Sequence, residues 1–262
     1  MKKQVTADTA VIGGTGLEEW LQKTRTLRLG TPYGIVYPLY LGEIEDKKVL
    51  LLPRHGPQHS IPPHKINYRA NIYALHQSGV TRILATNAVG AINLTFKLNN
   101  LVVPHDFVDL TKNRPITFYD ESPVTHVDFS QPYCPQIRRQ LIKTAEKLGF
   151  KVRDQAVMAC TEGPRYETPA EIEMLRRLGC DVVGMTGIPE AVLARELEMC
   201  YSSLCYVSNM AAGIQEKLTV QEISEVSDNV LPKIEQMLIN TIRTLPTERR
   251  CPCAVALRES RV

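Results

Sequence analysis

Six short segments carry residue types and spacings that could hold an anion or a heterocycle. Ile12-Gly13-Gly14-Thr15-Gly16 follows an apolar stretch. Its glycines let backbone N–H groups converge on an anion, and Thr15 adds a hydroxyl donor. A dinucleotide fits poorly here, because the third glycine of G-x-G-x-x-G, counted from Gly14, is replaced by Glu19, whose charge would repel a pyrophosphate. A plain tight turn is the alternative. Arg54-His55-Gly56 offers a planar guanidinium fork suited to phosphate oxygens, with His55 as a further donor. The alternative is an ordinary surface pair. Thr86-Asn87-Ala88-Val89-Gly90-Ala91 and Gly184-Met185-Thr186-Gly187 each set polar side chains beside glycine after an apolar run. Any one of these four could be structural. Together they favour one shared anionic ligand, phosphate rather than carboxylate.

The other two segments suit a planar base. Glu162-Gly163-Pro164-Arg165-Tyr166-Glu167 supplies an aromatic face and a carboxylate. Ser208-Asn209-Met210-Ala211-Ala212-Gly213 supplies an amide with a donor and an acceptor in one plane. Helix capping by Glu167 and a turn at Asn209 are the structural alternatives. His59, His64 and Tyr68 share a proline-rich loop whose spacing matches no helical metal motif, so no metal is expected there.

These segments need a scaffold that brings them together. Short apolar, β-branched runs predict strands over Thr9–Ile12, Lys48–Leu52, Arg82–Thr86, Ala156–Cys160, Asp181–Gly184 and Ser202–Val207. Amphipathic spacing predicts helices over Asn67–Gln77, Pro135–Lys147, Pro169–Leu178, Pro189–Glu198 and Val220–Arg243. Alternating strands and helices imply an α/β domain with a covered central sheet. Ligands in such folds gather at the carboxyl ends of strands, where the unusual segments fall.

Composition narrows the class. The 262 residues are 44% hydrophobic and 23% charged, enough for a sizeable core. A net charge of +3 without a basic stripe argues against a nucleic-acid partner. No apolar run approaches the roughly 20 residues that span a bilayer, and the N-terminus lacks the apolar centre of a signal peptide, so a cytoplasmic protein is expected. Of seven cysteines, Cys160 and Cys180 read as small core residues. Cys251-Pro252-Cys253 could ligate metal, exchange disulfides or belong to a frayed tail. No second C-x-x-C or histidine pair completes a zinc set, so no metal is expected.

The ordered set GGTG, RHG followed by HxxPPHxxNYRAN, TNAVGAI, EGPRYET, VVGMTGIPEAVLARE and SNMAAG resembles the trimeric purine nucleoside phosphorylase and methylthioadenosine phosphorylase family over about residues 9 to 245. Within that family it is most similar to the S-methyl-5′-thioinosine phosphorylases and the archaeal-type 6-oxopurine nucleoside phosphorylases. The resemblance implies a single nucleoside phosphorylase domain over residues 1–262, with a mixed central sheet flanked by helices and a tail from about residue 246. It implies phosphate contacts at Thr15, Arg54, His55, Asn87, Ala88 and Thr186, and catalytic roles for Asn209, Glu167 and His55. Met185 would pack on the ribose. Tyr166, Glu167, Asn209, Met210 and Ala211 would surround the base, and His126, Val220 and Ile223, with His59, the 5′ group.

Base choice follows from a departure. Adenine-directed members place Asp at the positions of Asn209 and Ala211. Asn209 can instead donate to a 6-oxo group, and Glu167 can accept from the N1 proton of hypoxanthine or guanine. The implied reaction is reversible phosphorolysis of a 6-oxopurine nucleoside, with inorganic phosphate as co-substrate and no metal or organic cofactor. A methylthioadenosine phosphorylase and a non-catalytic nucleoside-binding protein are the rivals. The resemblance further implies a homotrimer or dimer of trimers, with His126 reaching a neighbour's ligand. It also implies disulfides, with Cys134–Cys205 and Cys200–Cys253 as the candidate pairs.

Overall fold

The computed structural model describes residues 6–13 and 21–261, so Thr15 lies outside the described residues. The strands in chain order are β1 (Thr9–Gly13), β2 (Gln22–Thr31), β3 (Gly34–Ile44), β4 (Lys47–Pro53), β5 (Arg82–Ala91), β6 (Leu101–Val102), β7 (Asp106–Asp109), β8 (Val152–Arg153), β9 (Val157–Cys160), β10 (Val182–Gly184) and β11 (Cys200–Met210). The helices are α1 (Tyr68–Gln77), α2 (Pro135–Leu148), α3 (Pro169–Arg177), α4 (Ile188–Glu196) and α5 (Val220–Thr244). Among the described residues all eleven strands join one mixed sheet. No described helix is long and apolar enough to cross a membrane.

The sheet is organised around β5. Its first half pairs parallel with β1, its last residues pair antiparallel with β10, and β11 runs parallel along its length. On the β1 side the order continues through β4 to the antiparallel β3 and β2. On the β10 side it continues through β9 to β7. A centre covered on both faces must be apolar on both faces, and all of β5 except Ala88 is buried. Ile83 and Ala85 join the layer of Ala70, Leu75, Ala191 and Leu193 from α1 and α4. Leu84 points the other way, to Leu141 of α2 and Leu238 of α5. This is the two-residue period of a strand.

Local signals set the helix ends. The Asn67 side chain accepts from the Ala70 N–H at the start of α1. Thr168 and Glu171 form a reciprocal capping box on α3. Proline occupies the first turn of α2, α3 and α4, where its missing N–H has no intrahelical role. Gly149, at φ 70°, ends α2 in the left-handed conformation that glycine adopts freely.

Two expectations need correction. The β2–β3 hairpin was not foreseen: its partly exposed strands carry charges such as Arg25 and Arg28 rather than a continuous apolar run. Strands β5 and β11 also run further than their apolar runs suggest. Asn87, Ala88 and Asn209 lie within strands, not in loops after them. The polar groups are tolerated there because each has hydrogen-bond partners, Asn87 in Ser203 and Thr186 and Asn209 in Ser208 and the Met210 carbonyl, and a register shift between Val207 and Asn209 re-aims the end of β11.

The tail is docked, not frayed. Arg82 donates to the carbonyls of Pro246 and Thr247, the His126 N–H donates to Ser260, and Cys253 is buried. The proposed Cys134–Cys205 pairing is not supported by this arrangement. Cys200 and Cys205 are five residues apart on β11, so their side chains face opposite sides of the sheet. Cys134 packs with Cys200 and Cys253, whereas Cys205 lies beside Ser203 and Met158.

Because Leu84 is fully buried in the central strand, Leu84→Ala should lower the unfolding free energy by about 2–5 kcal/mol. Urea denaturation of the variant beside the parent measures the loss.

Candidate active site

At the carboxyl ends of β4, β5 and β11 lies a cavity of about 550 Å³. Arg54 and His55, which directly follow β4, reach it together with Asn87 and Ala88 of β5 and Met185 and Thr186 after β10. Tyr166, Glu167, Asn209, Val220 and Ile223 line the same space. Ala88 is the one exposed residue of β5, so a backbone otherwise hidden in the sheet comes within reach of a ligand there. Met210, Ala211 and His126 are not among the lining residues. Ala211 is buried under Val183 and Ile172, Met210 packs on the cluster around Val207, and His126 pairs with the tail.

Arg54 is not the free cation that its loop position suggests. It is 3% exposed, and its Nε and Nη2 donate to the two carboxylate oxygens of Glu190 at 2.6 and 2.8 Å. Its Nη1 donates to the Thr86 carbonyl at 2.6 Å. Two of the five guanidinium N–H groups are left without a partner among the described residues. Glu190 also accepts from the Tyr201 hydroxyl at 2.8 Å. A carboxylate inside the buried run Ile188–Glu196 was a legible signal, but its partner was not.

A hydrogen-bond chain orients the second anion donor. Ser203 Oγ donates to Asn87 Oδ1 at 2.6 Å, and Asn87 Nδ2 donates to Thr186 Oγ1 at 2.9 Å. Because Thr186 accepts on that side, its own O–H is available to the cavity. Gly187, at φ 93°, keeps this chain clear, since a Cβ there would stand 3.1 Å from Asn87 Nδ2.

The His55 Nδ1 lies 2.9 Å from the Ile61 carbonyl, which can only accept, so Nδ1 carries the proton. The Nε2 of the neutral ring is then an acceptor, not the donor expected from the sequence. Burial, then the neighbouring Arg54 charge, lowers the His55 pKa to about 4. The His59 ring stacks on it at 4.9 Å.

Two further polar groups are held by neighbours. Thr161 Oγ1 donates to Glu167 Oε1 at 2.6 Å. Glu167 takes no part in the α3 cap, which Thr168 and Glu171 make by themselves. Ser208 Oγ donates to Asn209 Oδ1 at 2.8 Å, while Asn209 Nδ2 donates to the Met210 carbonyl at 2.9 Å. Gly90 makes room for this amide, because a Cβ there would come within 2.9 Å of Asn209 Nδ2. Each anchored group keeps bonding capacity: Glu167 its second oxygen, Asn209 a lone pair and an N–H. Behind them Arg114, absent from the sequence reading, donates to the carbonyls of Met185 and Glu162 at 2.7 and 2.6 Å. It thereby ties two walls of the cavity together, and nothing in its loop sequence marks it.

Comparison with known proteins agrees with this arrangement. The model of the phosphorylase superfamily matches residues 8–243. The chain belongs to the phosphorylase superfamily. It is 48% identical to the 6-oxopurine nucleoside phosphorylase of Pyrococcus furiosus over 258 residues, covering 95% of this chain and 97% of that protein. It is also 48% identical to a Methanopyrus kandleri protein named "Probable S-methyl-5'-thioinosine phosphorylase", over 97% of this chain and 99% of that one. A crystal structure of a methylthioadenosine phosphorylase from an antarctic soil metagenomic library superposes with a TM-score of 0.91 at 32% identity, covering 98% of this chain and 93% of that one. This phosphorylase-superfamily chain therefore shares the mixed α/β fold of its structural neighbours.

Two outcomes test the electrostatics. Glu190→Gln leaves the Arg54 charge buried without its carboxylate, which should cost about 3–5 kcal/mol. Added inorganic phosphate should then raise the melting temperature of the variant more than that of the parent, as read by thermal denaturation. The His55 pKa is lower folded than unfolded, so the unfolded chain binds more protons between about 4 and about 6.5. The stability contributed by His55 is full above that window and is lost as pH falls through it. Unfolding titrations from neutral to acid pH should show a shallower loss in His55→Asn than in the parent.

Proposed function

We infer that the chain is a pentosyltransferase that catalyses reversible phosphorolysis of 6-oxopurine nucleosides, yielding hypoxanthine or guanine and a pentose 1-phosphate. The observation that carries this reading is that Glu167, held by Thr161, and Asn209, held by Ser208, face the same cavity as Arg54 and Thr186. The names of the relatives support the same class of substrate.

The chemistry follows from the donors present. Inorganic phosphate takes the two remaining Arg54 N–H groups and the Thr186 hydroxyl, with Ala88 and Thr15 completing the cup. The lone pair of neutral His55 Nε2 accepts a hydrogen bond from the O–H of hydrogen phosphate, which stays a dianion, and so orients an unprotonated oxygen toward the anomeric carbon. Proximity and alignment replace a bimolecular encounter. The glycosidic bond opens through an oxocarbenium-like transition state, whose positive charge the phosphate dianion favours. Met185 supports the ribose, and Tyr166 covers the base. Glu167 accepts from the N1 proton, and the Asn209 amide donates to the oxygen that gains charge as the purine departs. No metal or organic cofactor takes part in this scheme.

The 5′ group lies toward α5, where Val220, Ile223 and Leu231 give an apolar lining beside Ser224 and Asp228. In the assembled enzyme, a homotrimer or a dimer of trimers, the partner subunit's His126 closes that end. The enzyme acts in cytoplasmic purine salvage.

Asn209→Asp should lower kcat/KM for inosine and methylthioinosine by about 10²–10³, because a donor to the developing charge becomes an acceptor. Adenine nucleosides should gain relative to inosine. A phosphate-dependent product assay with inosine, guanosine, methylthioinosine, adenosine and methylthioadenosine reads both effects and the 5′ preference. Unchanged kinetics for the 6-oxopurine substrates would remove Asn209 from base recognition.

A further inference from the structure

Four cysteines that are distant in sequence meet away from the cavity. Cys134 stands at the start of α2, Cys200 at the start of β11, and Cys251 and Cys253 in the docked tail. Their sulfurs all lie within 4.8 Å of one another. Three of the residues are buried and Cys251 is partly so, and none lines the 550 Å³ cavity. The expectation that no zinc set exists rested on local spacing, since the fold supplies from α2 and β11 the two thiols that the tail lacks.

We propose that these four cysteines form a structural tetrathiolate site for one divalent zinc ion. A tetrahedral zinc with bonds of about 2.3 Å needs its sulfurs about 3.8 Å apart, a separation that lies between the 3.3 Å of Cys200 and Cys251 and the 4.8 Å limit of the set. Two disulfides ask that sulfurs be close two by two, whereas one ion asks that all four be close mutually, as they are here. Cys134 is the N-cap of the 14-residue helix α2, whose positive dipole end faces the cluster and favours a thiolate there. Binding releases the four thiol protons as Zn²⁺ is taken up, giving a centre of net charge −2. The ion would clamp residues 246–261 onto α2 and β11.

The full-length protein, purified anaerobically without chelator and then dialysed against zinc chloride, should carry one zinc per chain by elemental analysis. Cys134→Ser and Cys253→Ser should lose it, and Cys180→Ser should keep it. Chelation of the parent should lower the melting temperature by about 5–10 °C. Should the serine variants fail to fold, cobalt substitution of the parent decides, because a tetrahedral tetrathiolate gives intense sulfur-to-cobalt charge-transfer and visible ligand-field bands. Zinc below one tenth of an equivalent per chain after dialysis would overturn the site. So would zinc retained in both serine variants, a cobalt spectrum without thiolate bands, or freshly isolated protein whose intact mass shows these cysteines already oxidised to disulfides. Metal content is independent of phosphorolysis, so the two readings fail separately.

Discussion

The buried pair of Arg54 with Glu190 is the interaction on which the site's geometry rests. Removing two charges from water is costly, and the cost is met only because both carboxylate oxygens and three of the guanidinium donors are bonded. The pair joins the end of β4 to α4 and, through Tyr201, to β11. A cation is thereby fixed at the cavity wall before any ligand arrives. An anion entering the cavity would meet two remaining N–H groups on a rigid plane rather than a mobile side chain that must be ordered on binding.

The same device recurs around the cavity. Ser203 fixes Asn87, which fixes Thr186; Thr161 fixes Glu167; Ser208 fixes Asn209. In each case a short hydroxyl uses up one bonding position of the functional group and sets the direction of those that remain. Selectivity between 6-oxo and 6-amino purines depends on which atoms carry hydrogens, so such orientation matters more than the presence of an amide or a carboxylate alone. Arg114 adds a second level by holding the carbonyls behind Met185 and Glu162 in place.

The sheet makes these contacts possible. Strands β5 and β11 run parallel side by side for about ten residues, placing Asn87 opposite Cys205 and bringing Asn209 beside Gly90. Polar residues at the ends of central strands are ordinarily a liability, and here Asn87 finds partners on β11 and in the loop after β10, and Asn209 in its own chain neighbours Ser208 and Met210. The tail, anchored by Arg82 where it leaves α5, packs across the far side of this layer and closes the cluster that holds Cys253.

Much of this was legible in the chain. Apolar period and proline placement located α1 to α5 to within a few residues, and small, polar and cationic residues after apolar runs pointed to most of the cavity wall. These signals are local, set by a few neighbouring residues and by the pattern of burial that a strand or helix must present. The β2–β3 hairpin escaped because a half-exposed strand carries little apolar signal, and the full lengths of β5 and β11 escaped because Asn and Ser ordinarily break strands. What only the tertiary structure decided were the partnerships: Glu190 for Arg54, Ser203 for Asn87, Arg114 for two carbonyls, and the meeting of Cys134 and Cys200 with the tail. Each joins residues whose separation along the chain bears no relation to their distance in space, and hydrogen-bond direction, which fixes whether His55 donates or accepts, exists only once those partners are in contact.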